Sequence, residues 1–364
     1  MSEGVNGSRR EIREFERLAD AREAWERIET ANPSLGVFET YGYADLWRRY
    51  LCAECKIGGL VLTRDDQPRL VLAVAADKRR LAVVGRGPAD HLTLPRAGQE
   101  LADFRAALRH VADRGGLTDM RFYEVSEEVS RSIEQAARDE GFSVVLRLKS
   151  ISPYLALDQG WNGVLARMSS NFRYQLRNRT AALEAKGIAV AHHRPVPDLE
   201  TRLDVLARFE AASPKGREGI DFLGRPDVAG FLRGWFVELN RRGMLCVSTL
   251  TDGEELVAYQ IGFLRHGRYS LYNRAYNPEY ARNSPGMVLE AHVMKRLIAD
   301  GVTEYDMSRG IYPAKERWHP LHRSQYDVTV YPRRLRGRVR YWRDRLRYSA
   351  KDVTRRALSI RARY

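Results

Sequence analysis

Three strand-like runs in close succession, 244–250, 255–264 and 268–275, are joined by Asp252-Gly253 and His266-Gly267. Both dipeptides suit tight hairpin turns, because glycine accepts the positive φ that such turns need. The segment therefore has to form an antiparallel meander. Asn277-Pro278 then turns the chain into Asn283-Ser284-Pro285-Gly286, and from Met287 onward Leu289, Val293, Leu297 and Ile298 recur as on one helix face. That spacing predicts a helix with a buried side, stopped at Asp300-Gly301.

A helix opened by a loop of small residues leaves its first amides without intrahelical partners, and its dipole makes that end attractive to anions. The expected cradle is the N–H groups of Gly286, Met287 and Val288, unpaired and directed outward. Ser284 is expected as N-cap, Pro285 suits the first turn, and Gly286 lets a bulky anion approach. Arg282 can add a charge-assisted contact to a pyrophosphate. The candidate phosphate-binding set is thus Arg282, Asn283, Ser284, Gly286 and Met287. A plain helix start is the alternative reading of Ser-Pro-Gly.

At 364 residues the chain is too long for one ordinary core and suits two domains. Its 44% of apolar and 30% of charged residues exclude global disorder. Before residue 157 the pattern mixes helices (20–31, 41–51, 101–114, 127–140) with strands (59–63, 69–75, 80–84, 120–125). Beyond it, 161–185 reads as one or two arginine-rich helices, 188–192 as a strand, and 199–212 and 226–240 as helices around a loop at 213–219. After the helix at Met287 come a strand at 304–307, a short helix at 314–318 and a strand at 325–331. The expected division is 1–157, 158–332 and a basic segment 333–364.

The longest apolar run, 70–76, is far short of a bilayer span, and the charged N-terminus has no apolar export signal, so a cytoplasmic location is expected. Cys52 and Cys55 form a single CxxC without further ligands at zinc spacing, and are read as ordinary reduced thiols. Cys246 reads as a small core residue. His192, His193, His319 and His322 lack carboxylates at ligand spacing and are read as surface histidines, so no metal is expected. Neither GxSxG, a Walker loop nor HExxH is present, which leaves hydrolase, nucleotide kinase and zinc-enzyme readings without support.

The order helix, helix, three antiparallel strands, small-residue loop, helix, strand, short helix, strand resembles the catalytic core of the GNAT superfamily. Glu210 with Lys215-Gly216, Asp252-Gly253 leading to Val257-Ala258, Tyr276-Asn277-Pro278-Glu279 and Ser284-Pro285-Gly286 resemble its CelD/BcsL-like, FemAB-related branch. So does the late cluster Asp306, Arg309-Gly310, Lys315 and Trp318, and so does the basic stretch from Ser169 to Arg177. The chain departs from that pattern at Ala314, Asn277 and Pro214. The resemblance implies an α/β (α+β) protein of two tandem GNAT-like domains, each a mixed, mostly antiparallel sheet flanked by helices. It also implies acetyl-CoA or another acyl-CoA as co-substrate, and transfer to a small-molecule amine or hydroxyl or to an envelope-related glycan or lipid. An aminoacyl-tRNA-dependent transferase on the same fold is the rival reading.

Acyl transfer needs a held donor, a base for the acceptor and hydrogen-bond donors at the developing oxyanion. Asp306 can be the base or orient the acceptor, or merely cap Ser308 and Arg309. Arg274, on the strand leading to the phosphate loop, can hold a carboxylate or phosphate. Tyr259 and Gln260 share a central strand, one facing inward and the other outward. Lys215 and Lys315 are substrate contacts or loop charges, and Trp318 is a packing anchor.

Most of the net charge of +14 lies at the C-terminus, where 333–364 carry thirteen Arg or Lys against two Asp. Leu335, Val339, Trp342, Leu346, Val353 and Ile360 follow steps of three, four and seven residues among these arginines, which predicts a cationic amphipathic helix. Three uses stay open: lying peripherally on the inner membrane surface, contacting tRNA phosphates, or packing the stripe on the protein. A non-catalytic RNA- or membrane-binding protein is the corresponding third reading.

Overall fold

The computed structural model describes residues 9–92, 94–98, 100–113 and 116–361, with 349–361 by backbone alone. From the N-terminus, β1 (Arg10–Phe15) leads to α1 (Arg22–Ala31) and α2 (Tyr41–Leu51). A meander of β2 (Lys56–Arg64), β3 (Gln67–Asp77) and β4 (Arg80–Val83) is followed by α3 (Leu101–Asp113), β5 (Asp119–Ser126), α4 (Glu127–Asp139) and β6 (Ser143–Ala156). Next come α5 (Gly160–Ala166), α6 (Ser170–Glu184), β7 (Ala189–His193), α7 (Leu199–Ala212), α8 (Pro214–Arg217) and α9 (Ala229–Arg241). The second meander is β8 (Leu245–Asp252), β9 (Glu255–Arg265) and β10 (Arg268–Tyr276), followed by α10 (Pro285–Ala299) and β11 (Glu304–Asp306). The chain closes with α11 (Pro313–Glu316), β12 (Leu321–Tyr331) and α12 (Leu335–Arg361).

Two compact units result, one from Met1–Tyr41, Glu54–Lys149 and Gln325–Tyr364, the other from Gly42–Ala53 and Ser150–Ser324. In the first, strands run in the order β1-β2-β3-β4-β5-β12. All neighbours there are antiparallel except β4 and β5. Leu60, Leu72, Phe104, Leu108, Phe122, Ile133 and Val328 form its core.

In the second unit the order is β6-β11-β10-β9-β8-β7, antiparallel except for β10 and β11. Both faces of this sheet are covered. On one, α10 lays Leu289, Val293, Met294 and Leu297 against β8, β9 and β10, with Phe172 and Leu176 of α6 beside them. On the other, Trp235 and Phe236 of α9 pack on Phe263 and Tyr272, and Tyr43 of α2 closes on Trp235 at 5.2 Å. Double coverage explains why Tyr259 and Gln260, expected to face in and out, are both buried.

The meander, the helix after it and most expected elements are present. The strands β1 and β6 were not anticipated. Residues 213–219, expected as a loop, contain α8, because Ser213 Oγ accepts the Lys215 amide at 3.2 Å and Pro214 stands in the first turn. Cys52 and Cys55 are disulfide-bonded, which corrects the reading as free thiols; Ala53 and Glu54 form a turn between them. Cys246 is a buried core thiol as expected, pushed up to about 12 by burial. Among the described residues no helix is long and apolar enough to cross a membrane.

Candidate active site

Strands β10 and β11 pair in parallel only from Arg268–Glu304 to Ser270–Asp306. Beyond that, β10 runs on to Tyr276, while the chain after β11 passes through Ser308 and Gly310, both at positive φ. A cavity of about 650 Å³ is lined by Leu271 to Tyr276 on one side and by Met307, Ser308 and Arg309 on the other. Residues 284–287 at the start of α10 line it as well, and so do Lys215 and Tyr259. It therefore spans residues that belong to both faces of the sheet.

A β-bulge decides which residues those are. The register with β9 slips between Leu271 and Asn273, so Tyr272 is the extra residue. Tyr272 turns to the α9 side, against Trp235 and Phe263, and Asn273 stays on that side with Lys215. Arg274 is thereby delivered to the α10 side. Bulges re-aim side chains in this way without breaking the strand.

On the α10 side, Glu290 is buried and collects three donors. Arg274 pairs with its Oε1 at 2.9 Å, Tyr305 Oη donates to Oε1 at 3.2 Å, and Trp318 Nε1 donates to Oε2 at 2.9 Å. Gln260 Nε2 links the hydroxyls of Tyr305 and Tyr269, each at 3.0 Å, behind the stacked Tyr269 and Tyr305 rings. The Glu290 carboxylate outweighs the desolvation of Arg274 and holds its guanidinium above the ordinary value.

On the α7 side, Glu210 is fully buried and accepts the amides of Phe222 and Leu223 at 2.9 and 2.7 Å. Lys215 Nζ donates to Glu210 and to Asn273 Oδ1. Gly216 makes this possible: a Cβ there would stand 1.9 Å from the Ala211 carbonyl oxygen, so only glycine brings α8 so close to α7. Tyr259 packs its ring on Phe209 at 5.8 Å and lines the cavity. Its hydroxyl, like Asn273 Nδ2, is buried and has no hydrogen-bond partner among the described residues. Burial, reinforced by Glu210, pushes the Tyr259 phenol well above its ordinary value, so it stays protonated.

The expected site residues divide accordingly. Lys215, Tyr259, Arg274, Lys315, Ser284, Gly286 and Met287 all line the cavity. Lys315 Nζ is held by the carbonyls of Ser308, Arg309 and Gly310 at 3.0, 2.9 and 3.2 Å, so it fixes the loop after β11. Asp306 is buried just behind that loop, accepting the Ser308 amide at 2.8 Å and pairing with Arg323 at 3.5 Å. Arg282 and Asn283 close the 3-10 turn before α10; the Arg282 side chain is exposed and its carbonyl accepts from Arg179.

The helix start differs from expectation in two respects. Ser284 is the N-cap, but in the left-handed region and without a side-chain capping bond. Its carbonyl accepts the amides of Met287 and Val288 at 3.0 and 3.2 Å, so these two are satisfied within the turn and not left outward as a cradle. Two features still suit a bound phosphate. A Cβ at Gly286 would meet nothing within 4 Å, which leaves the backbone open to the cavity. Five cationic side chains, Lys215, Arg274, Arg309, Lys315 and Arg317, line the cavity against the single carboxylate of Glu290. Of the histidines, His192 bonds Ser248 Oγ at 2.9 Å and His322 pairs with Glu316 at 3.0 Å, so the latter does have a carboxylate neighbour. No cluster of metal-ligating residues occurs among the described residues.

Residues 170–316 match the family described as the acetyltransferase (GNAT) domain. This segment is a GNAT-type acyltransferase domain. The matched segment contains the second meander, α10 and every cavity residue except Arg317 and Trp318. Among solved structures, FemX superposes with a TM-score of 0.61 at 10% identity, over 86% of this chain and 96% of FemX. A conserved protein of unknown function from Bacteroides thetaiotaomicron gives 0.54 at 14% identity, over 86% and 97%. The C-terminal domain of a putative lysylphosphatidylglycerol synthetase from Agrobacterium fabrum gives 0.52 at 12% identity, over 84% and 92%. At such identities these three share the fold with this chain and nothing further. A comparison of the sequence with curated proteins finds no match.

Two residues of the candidate site are not among the sequence expectations. Glu290 sits on the buried face of α10 among Val288, Leu289 and Val293. A lone carboxylate on an otherwise apolar helix face was a visible signal, since a charge is buried only where partners await it. Asn273 gave no such signal, because its orientation depends on the bulge.

Proposed function

We propose that this GNAT enzyme is an acyl-CoA-dependent N- or O-acyltransferase, with donor phosphates at residues 284–287 and the acceptor on the α7 side. The acceptor is a small amine or hydroxyl, or an envelope-related glycan or lipid, presented at Lys215, Tyr259 and Asn273. The observation that carries this reading is that one cationic cavity contains Gly286 at one end and, at the other, two polar groups without a hydrogen-bond partner among the described residues. Anionic phosphates suit its surplus of positive charge.

When bound, the donor supplies an activated acyl carbon. Arg274, steadied by Glu290, lies on the α10 side and orients a phosphate or carboxylate there. The protonated Tyr259 hydroxyl and Asn273 Nδ2 serve as hydrogen-bond donors where negative charge develops; as the acceptor nitrogen or oxygen bonds to the acyl carbon and the carbon–sulfur bond breaks, Tyr259 can pass its proton to the departing sulfur and take back the one the acceptor loses. Lys215, tied to Glu210 and Asn273, positions the acceptor. In this reading Asp306 and Lys315 hold the loop 308–310 in place along one side of the cavity.

Purified protein should show a thermal upshift with acetyl-CoA or longer acyl-CoA at millimolar concentration. No shift with any of them, together with activity that ribonuclease abolishes, would replace this donor by an aminoacyl-tRNA. Gly286→Val gives a second measurement. Since the added side chain meets no protein atom near its Cβ, the melting midpoint should move by no more than about 2 °C. The donor KM should rise about tenfold or more, the size expected when one hydrogen bond to a charged group is pushed out of reach. An unchanged KM would remove the phosphates from this end of the cavity.

A further inference from the structure

Helix α12 presents its apolar stripe to solvent. Leu335, Val339, Trp342 and Leu346 are 77%, 60%, 54% and 69% exposed. Steps of four, three and four place them on one side of the helix. The packed side is the polar one. Asp344 Oδ2 accepts from Tyr331 Oη at 3.1 Å and pairs with Arg340 at 2.9 Å, and Arg340 reaches Asp119 at 3.6 Å. Gly337 sits against Pro332, where a Cβ would stand 2.2 Å from the carbonyl oxygen, and Arg147 lies 4.2 Å above the Tyr348 ring. The ordinary amphipathic surface helix buries its apolar stripe; this one is fastened by an ion-pair cluster and shows the stripe outward. Val353 and Ile360, the rest of the expected stripe, lie outside the residues whose side chains are described; from Leu335 to Leu346, packing the stripe on the protein is excluded.

Charge selects between the remaining partners only together with the stripe. Arg333, Arg334, Arg336, Arg338, Arg343, Arg345 and Arg347 are exposed around it, while Asp344, the one acid between residues 335 and 348, is buried. A polyanion such as tRNA engages arginines through phosphates and leaves leucines and valines in water. An anionic bilayer surface takes both sets: the apolar ridge enters the boundary between headgroups and acyl chains, Trp342 sits at headgroup level, and the arginines meet lipid phosphates.

We propose that α12 docks the protein on an anionic membrane surface, with Leu335, Val339, Trp342 and Leu346 inserted and the flanking arginines paired with lipid phosphates. The test uses the full chain, co-sedimented with vesicles of phosphatidylcholine alone and with vesicles that also contain phosphatidylglycerol. Binding is expected to the second and not the first, and raised salt should weaken it. The triple variant Leu335→Ser, Trp342→Ser, Leu346→Ser keeps every arginine and every anchoring contact, so its melting midpoint should equal that of the parent. Its vesicle affinity should fall at least about tenfold, since the lost area is apolar. Retention of full affinity by this variant overturns the proposal. So does binding of tRNA without vesicle binding, or self-association of the parent that the variant abolishes without any vesicle partition.

Discussion

Replacing Glu290 with alanine is expected to lower the melting midpoint by about 6–20 °C, from a cost of about 3–5 kcal/mol for breaking a buried ion pair and about 2–4 °C per kcal/mol. The substitution strands three donors at once, the Arg274 guanidinium, the Tyr305 hydroxyl and the Trp318 indole. Arg274 keeps partial access to the cavity at 29% exposure, which places the result in the lower part of that range. Glu290→Gln retains the shape and an acceptor, so its loss should be clearly smaller. Calorimetry or a circular-dichroism melt reads both. If the alanine variant melts within the error of the parent, the cluster does not hold Arg274, and the orientation assigned to that residue fails with it.

The second large effect is kinetic. Tyr259→Phe should lower kcat about a hundredfold, at the bottom of the range for a proton donor placed at a reacting group. The same change should leave the melting midpoint equal or higher, because it removes a buried hydroxyl that has no partner among the described residues. A merely structural tyrosine would behave in the opposite way, with stability falling and turnover following it. The decisive reading is therefore the pair of numbers, kcat on acyl transfer and the midpoint from a melt. Unchanged kcat would take Tyr259 out of the chemistry, whatever the midpoint does.

Much of the second unit was legible because its signals are local. Asp252-Gly253 and His266-Gly267 set the hairpins, and the apolar recurrence after Met287 set α10 with its start at a Pro-Gly step. The site was legible in part. Lys215, Tyr259, Arg274 and Gly286 line one cavity, yet neither the partners of Lys215 nor those of Arg274 follow from their position in the chain. The strand β6 escaped notice since Ser143–Ala156 crosses from one compact unit to the other, and its burial pattern mixes exposed and buried runs.

The sequence by itself determined the element order from the second meander to β12, its hairpin turns, the glycine at the start of α10 and the cationic amphipathic character of 333–364, because each rests on residues within a turn or two of one another. Tertiary structure alone decided the rest. The bulge at Tyr272 chose which face received Asn273 and which received Arg274, and the short pairing of β10 with β11 left room for the cavity beyond it. The Arg340, Asp119 and Asp344 cluster chose which side of α12 would face solvent. The physical reason is common to all three: a side chain's direction depends on pairings made by residues distant in sequence, and local propensity carries no record of those pairings.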